Sequence, residues 1–293
     1  MDARGGVLLV DKPVGPTSHD VVAKVRRVAG LRRVGHAGTL DPFASGLLIL
    51  LLGQATRLSE YLLGLDKDYL ATARLGVETT TGDPEGEVVA ESGGWEGLQA
   101  PEVEGALSSL QGRILQKPPV YSSKKIRGEA AHRRVRRGEL VEMKEVEVTI
   151  HQIGLLELSL PEVRFRVRCS SGTYVRALGR DLGRRLGVGA HLTSLRRTGI
   201  GTLSVEDSVS LEAMEDPSVW QEELLSPAAA LSHLPAVSID EAEARRIRQG
   251  QEIPRDGEEL SEAIPVRILA DGDLLAIGLV KGNRLRPKKV LGG

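Results

Sequence analysis

Cysteine is almost absent from this chain: one residue of 293, Cys169, carries a thiol. That excludes an intramolecular disulfide and any zinc site built from several cysteines, and it suits a reducing, cytoplasmic setting. Aromatic residues make up only 3%, with two Phe, two Trp and four Tyr. No apolar run approaches the roughly 20 residues of a membrane span, the stretch Leu47–Leu52 being six residues long. The first ten residues carry one basic group and a hydrophobic run of only four, Val7–Val10, so no secretory signal is expected there. A dinucleotide-binding GxGxxG and a P-loop are both missing, as are fixed-period repeats and low-complexity tracts. What remains, 41% hydrophobic and 27% charged residues, is an ordinary globular composition, enough for one large domain or two unequal ones.

A net charge of −1 conceals a strong segregation along the chain. Residues 117–137 hold eight Lys or Arg against Glu129, and 164–197 hold nine Arg against Asp181. Five basic groups lie in 24–38 and five more in 281–289, whereas 78–104 carries eight acids and 206–223 seven, with no Lys or Arg in either. Four basic segments separated by acidic ones suit the steering of a polyanion, because neutralising phosphates takes several Lys or Arg together. Solvated surface is the plain alternative for any one of them.

Local pattern organises the rest. Thr17 and Asp20 form a capping-box signature before a helix whose Val21, Val22, Val25 and Val28 make one apolar stripe, with Gly30 as terminator. Tyr69–Leu75 and Glu145–Ile150 have extended character. In Val163–Cys169, Val163, Phe165, Val167 and Cys169 fall on one face and Arg164, Arg166 and Arg168 on the other, which makes Cys169 a core residue. Tyr174–Leu186 reads as a helix with Val175, Leu178, Leu182 and Leu186 inward. Strands with only a few helices favour an α+β fold around a mixed, mainly antiparallel sheet. The acidic stretch Glu206–Glu223 reads as a boundary region. Beyond it, a short helix at Glu241–Arg248 and strands at Val266–Ala270 and Leu274–Val280 fit a small β-rich appendage.

The stretch Val34–Leu48, VGHAGTLDPFASGLL, places Asp41 in a glycine-punctuated loop just before the apolar run. Gly35, Gly38 and Gly46 permit tight backbone, and Pro42 keeps Asp41 out of helical geometry. Such a carboxylate suits a nucleophile or base; it equally suits a turn cap. His36, in the same loop, has no second His or Cys nearby, so a metal site is not expected; contact with a nucleotide or with local backbone is. Tyr69, Tyr121 and Tyr174 sit beside turns, where a ring can stack on an extruded base, whereas Tyr61 lies on an apolar stripe. Arg176 follows the SSGT turn and is placed to hold a carboxylate from another loop in its charged form.

These residues resemble the bacterial TruB-type pseudouridine synthases, which isomerise uridine 55 in the TΨC arm of tRNA. The matching stretches are LLVDKPVGPTSHDVVAKVR from Leu8, GHAGTLDPFASGLL from Gly35, DKDYLATARLG from Asp66, QKPPVYSSKKIRG from Gln116, and CSSGTYVRALGRDLG from Cys169 with HLTSLRR from His191. The resemblance implies a pseudouridine synthase domain over 1–232, with an RNA-clasping insertion at about 112–145, and a small PUA-like RNA-binding domain over 233–293. It implies Asp41 as the nucleophile, Arg176 as its ion-pair partner and Tyr69 as the ring packed on the flipped base. His36 would fill the space left by that nucleotide, Leu195 and Tyr174 would wall the pocket, and Lys12 and Pro13 would support the loop. Lys125, Arg127, Arg133 and Arg136 would grip the RNA. The family uses neither metal nor cofactor, and the implied partner is the TΨC stem-loop of tRNA, met by a cytoplasmic monomer without guide RNA or membrane. One departure is visible: AAHRRVRRG puts His132, Val135 and Arg136 where the family usually has a tyrosine and a following Ala-Arg. Two other readings share the motifs, a tRNA-binding folding chaperone and a guide-RNA-dependent synthase subunit.

Overall fold

The computed structural model describes residues 5–121, 143–254 and 264–291, with 125, 126, 129, 130, 134, 137 and 139 between the first two stretches. In chain order its framework runs β1 (Gly6–Lys12), α1 (Ser18–Ala29), β2 (Val34–Ala37), β3 (Ser45–Leu52), β4 (Lys67–Leu75), β5 (Gly112–Gln116), β6 (Val146–Ser159), β7 (Glu162–Cys169), α2 (Val175–Arg185), β8 (Ala190–Ile200) and β9 (Val209–Ser210). The C-terminal part adds β10 (Ala236–Ile239), α3 (Glu241–Arg248), β11 (Ile253–Pro254), β12 (Val266–Ala270), β13 (Asp273–Lys281) and β14 (Arg284–Val290). The chain divides into two compact units, one of residues 1–41, 46–63 and 201–293 and the other of 42–45 and 64–200.

In the first unit β3 pairs antiparallel with β1, from Gly6 opposite Leu52 to Lys12 opposite Gly46, and with β2, from Val34 opposite Leu52 to Ala37 opposite Ile49. The two residues of β9 add to β1 in parallel. Leu47 to Leu52 are all buried, as the uncharged run predicts for a strand covered on both faces. Helix α1 closes over Leu8, Val10, Leu48 and Leu50 with Val21, Val22 and Val25. Its ends follow the sequence signals: Thr17 and Asp20 form the reciprocal capping box, and Gly30 terminates it at φ 64°. The acidic stretch Glu206–Glu223 is not a linker. Leu211, Met214 and Trp220 punctuate the acids and insert into this same core, with Trp220 only 1% exposed.

The C-terminal sheet of the first unit runs β10-β12-β13-β14-β11, with β10 and β12 parallel and the other pairs antiparallel. Its core of Val237, Ile247, Val266, Ile268, Ala276 and Leu285 is closed by α3. Lys289 ties β14 to the 57–60 segment, donating to the Arg57 carbonyl at 2.7 Å and pairing with Glu60. That lysine is therefore spent on structure rather than offered to a polyanion.

The second unit is an antiparallel sheet in the order β8-β4-β7-β6-β5. Strand β6 extends to Ser159, well past the expected end at Ile150, because bulges after Ile150 and Leu155 break the alternation that reveals a strand in sequence. Cys169 is fully buried, as its phase on β7 predicts, and burial pushes its thiol up to about 11. Beside it Lys67, 8% exposed, is held down to about 8 by burial and by the charge of Arg197.

This pair gives stability a definite pH dependence. From pH 8 to 9 the folded lysine sheds its proton while the unfolded one, near 10.5, keeps it, so stability rises. Above 9 the unfolded thiol ionises while the folded one stays protonated, which opposes the lysine. Urea unfolding at pH 8 and pH 9 should show Lys67→Met lacking a rise of up to about 1 kcal/mol that the native chain has; equal slopes in both proteins would refute the buried-lysine account.

Among the described residues no helix is long and apolar enough to cross a membrane. No group of three His, Cys, Asp or Glu among them is arranged to hold a metal ion.

Candidate active site

The loop 38–44 joins β2 to β3 and is fixed at both ends by backbone that only glycine adopts readily: Gly38 and Gly46 both have φ 101°. Gly46 lies opposite Lys12 in the β1–β3 ladder. The Lys12 side chain is fully buried, and its ammonium donates to the carbonyls of Pro13 at 2.8 Å and Pro16 at 2.9 Å. A buried cation fed by two carbonyls locks the turn 13–16 that leads into α1.

That turn delivers Ser18, which the sequence did not single out. Its hydroxyl donates to the Leu40 carbonyl at 3.1 Å and accepts from the Leu40 amide at 2.9 Å, all within a buried environment. The residue before Asp41 is thereby clamped on both sides of its Cα, so the half-buried Asp41 leaves the loop in a set direction. If Asp41 acts in the chemistry, Ser18→Ala should lower kcat by about tenfold, the equivalent of one or two hydrogen bonds, with KM changed less than twofold. An unchanged kcat would show that the clamp does not position Asp41.

His36 is not in this loop. It lies on β2 opposite Leu50, because the pairing of β2 to β3 begins at Val34 and runs through Ala37. Its ring meets the exposed His19 edge-on, with centroids 5.4 Å apart and planes at 84°. Gly35, on the same strand, has ordinary extended backbone, so the special geometry is confined to Gly38 and Gly46.

In the second unit, Tyr69 and Leu195 share one face of the sheet. Tyr69 on β4 is opposite Arg197 of β8, and Leu195 is opposite Ala71. Tyr69 is 9% exposed, Leu195 6% and Arg197 1%. An arginine that turns inward beside the tyrosine was hidden in the sequence, where Arg196 and Arg197 read alike as parts of a basic run.

Tyr174 caps α2 and is held by its backbone. Gln116, fully buried, accepts from the Tyr174 amide at 2.8 Å and donates to the Tyr174 carbonyl at 3.1 Å. Two residues on, Arg176 is 5% exposed, a cation in the first turn of a helix where the dipole opposes it. Asp83 compensates: its Oδ2 accepts from Arg176 at 2.9 Å, in a pair whose side chains are 5% and 3% exposed. Asp83 Oδ1 accepts from the Thr81 hydroxyl and the Glu85 amide, while Arg176 donates further to the carbonyls of Thr81 at 3.1 Å and Tyr121 at 2.8 Å. Asp83 is thus a carboxylate tied to Arg176 that the sequence did not single out. Its cue was weak, an Asp-Pro within an acidic stretch.

Of the expected RNA-gripping residues, Lys125 lies in a two-stranded ribbon with only its backbone described, and Arg127, Arg133 and Arg136 fall outside the described residues, as do His132 and Val135. Several other basic groups serve structure: Lys24 pairs with Glu215 at 3.1 Å, and Arg26 donates to the Val34 carbonyl at 3.0 Å.

Comparison with known proteins places this geometry. Residues 26–175 match the N-terminal domain of TruB family pseudouridylate synthases, residues 176–234 the tRNA pseudouridylate synthase B C-terminal domain, and residues 235–291 a TruB C-terminal domain of pseudouridine synthase II. The tRNA pseudouridine synthase B of Burkholderia lata is 44% identical over 291 residues, covering 98% of this chain and 90% of that protein. That of Thermobifida fusca is 44% identical over 297 residues, covering 98% and 99%. Among solved structures, an H/ACA RNP bound to a substrate RNA containing 2′-deoxyuridine superposes with a TM-score of 0.77 at 26% identity, covering 99% of this chain and 86% of that one. A Cbf5-Nop10-Gar1 complex superposes at 0.76 and 26%, with the same coverage. With a mixed, mainly antiparallel sheet, a C-terminal β-rich domain and all three domain matches in sequence order, the chain belongs to the TruB family of pseudouridylate synthases.

Proposed function

We propose that this enzyme converts uridine 55 of tRNA to pseudouridine in the TΨC loop, with Asp41 as nucleophile toward a flipped-out uridine. The observation that carries the reading is the Asp41 loop, whose backbone is pinned by Ser18 while its side chain stays half-exposed. Relatives at 44% identity named tRNA pseudouridine synthase B supply the substrate class.

The chemistry is an isomerisation with no redox change. The N1–C1′ bond breaks, the uracil turns within the site, a C5–C1′ bond forms, and the proton on C5 leaves while N1 regains one. A carboxylate nucleophile, an apolar enclosure for the detached base and a proton acceptor meet these needs. Asp41 supplies the first. Leu195 and Tyr174 wall the enclosure, and Tyr69, packed on the base, takes part in removing the C5 proton. Arg176, held by Asp83, keeps Asp41 ionised; His36 fills the space that the uridine vacates, and Lys12 and Pro13 support the loop. Lys125, Arg127, Arg133 and Arg136 grip the tRNA backbone. The work is done by a cytoplasmic monomer without guide RNA, on the catalytic domain 1–232 and the RNA-binding domain 233–293.

Tritium release from a TΨC stem-loop carrying 5-tritiated uridine tests this directly. The purified chain should release one equivalent per target uridine. Binding without release would instead favour a folding chaperone, and release only with added partner proteins and guide RNA would favour the ribonucleoprotein mode of the structures at 26% identity.

A further inference from the structure

Tyr69 and Leu70 are neighbours on β4 and therefore point to opposite faces of the sheet in the second unit. The face with Tyr69 belongs to the site described above. The other face carries a row of arginines from β7. Arg164, Arg166 and Arg168 occupy alternate positions, roughly 6.6 Å apart for a strand rising about 3.3 Å per residue. All three are exposed, Arg164 and Arg168 by 53% and 51% of their side-chain surface.

Their neighbours leave them open. Arg166 sits between Gly154 of β6, which has no side chain, and Leu70 of β4, and it makes no ion pair among the described residues. Arg164 lies 3.8 Å from Glu157 and Arg168 4.0 Å from Asp66, long contacts between exposed groups that hold little energy. A shallow groove of about 150 Å³ runs here, bordered by Arg166, Arg168, Leu70, Gln152 and Thr198, with Asp68 the one acid on its rim; Tyr69 and Val167 also line it, although strand alternation turns their buried side chains to the other face. The sequence's basic segment 164–197 thus splits by side: Arg176 and Arg197 turn into the protein, while the β7 arginines turn out.

We propose that this open arginine face is a second RNA-binding surface, which takes the phosphate backbone of a single-stranded RNA other than the one at Tyr69. Guanidinium groups repeating along one strand present paired N–H donors to successive phosphates, and Leu70 with the bare Gly154 leaves room for a base to lie against the sheet. An RNA seated on Leu70 cannot place the same nucleotide on Tyr69, since the sheet stands between them. The two occupants are therefore independent. The inference does not depend on the choice of uridine 55.

Fluorescence anisotropy with a labelled oligoadenylate of about twelve nucleotides tests it, because that RNA has no uridine to enter the active site. With unlabelled TΨC stem-loop saturating, the native protein should still bind the oligoadenylate. R164Q/R166Q/R168Q should weaken that binding about tenfold at low salt and reduce the slope of log affinity against log salt by about 2, as loss of three single-strand phosphate contacts requires. R164K/R166K/R168K keeps the charge and should keep the slope, and R166Q alone should weaken binding about threefold should the triple variant not fold. Equal affinities and slopes for the native and glutamine proteins, or full displacement of oligoadenylate by stem-loop, would overturn the proposal. Tritium release from the stem-loop should be the same in native and glutamine proteins; its absence from the native protein would count against the reading of Asp41 and leave the oligoadenylate comparison intact.

Discussion

Asp41→Asn should abolish tritium release from the TΨC stem-loop, with kcat reduced by at least about a thousandfold, if Asp41 is the proposed nucleophile. Asparagine has the shape of aspartate but an amide that cannot attack carbon or leave as a carboxylate. The Ser18 clamp acts on the backbone of Leu40, so the loop keeps its course and stem-loop affinity should stay within about twofold, in keeping with a group used in chemistry rather than in ground-state binding. Retained turnover would remove Asp41 from the centre of the mechanism. Lost affinity together with lost turnover would instead mark it as a residue that shapes the loop.

Asp83→Ala should destabilise the protein by about 3–5 kcal/mol, because it removes the buried carboxylate that lies 2.9 Å from the Arg176 cation in the first turn of α2. Two neutral donors, the Thr81 hydroxyl and the Glu85 amide, lose the carboxylate oxygen that accepts from them in the same change. Asp83→Asn separates the causes: it can still accept from Thr81 and Glu85 through Oδ1, yet it offers Arg176 no charge, so the loss should be smaller while activity falls through a displaced Arg176. Urea midpoints together with kcat for the two variants check this. Native-like stability of Asp83→Ala would mean that the pair is not the support of Arg176.

Legibility in the sequence depended on how local each signal was. The capping box at Thr17 and Asp20, the uncharged β3 and the strict alternation of β7 each lie within one short window, and all three were readable. The second half of β6 was not, since two bulges disrupt its period. Strand β14 was hidden by its composition, RLRPKKV, in which only Leu285 is buried on a face and the lysines read as surface charge. At the site, Asp41 stood out because glycines frame it. The contacts that hold its loop and the other candidate residues did not, because each joins distant stretches: Ser18 to Leu40, Gln116 to Tyr174, Asp83 to Arg176 across 93 residues. A side chain that serves another residue's backbone leaves no pattern of its own.

The most direct measurement maps the product within a full-length unmodified tRNA transcript incubated with the purified chain alone. Chemical labelling of pseudouridine followed by primer extension should give a single stop reporting position 55, present with the native protein and absent with Asp41→Asn. A stop elsewhere, or none without added protein and guide RNA, would contradict the account.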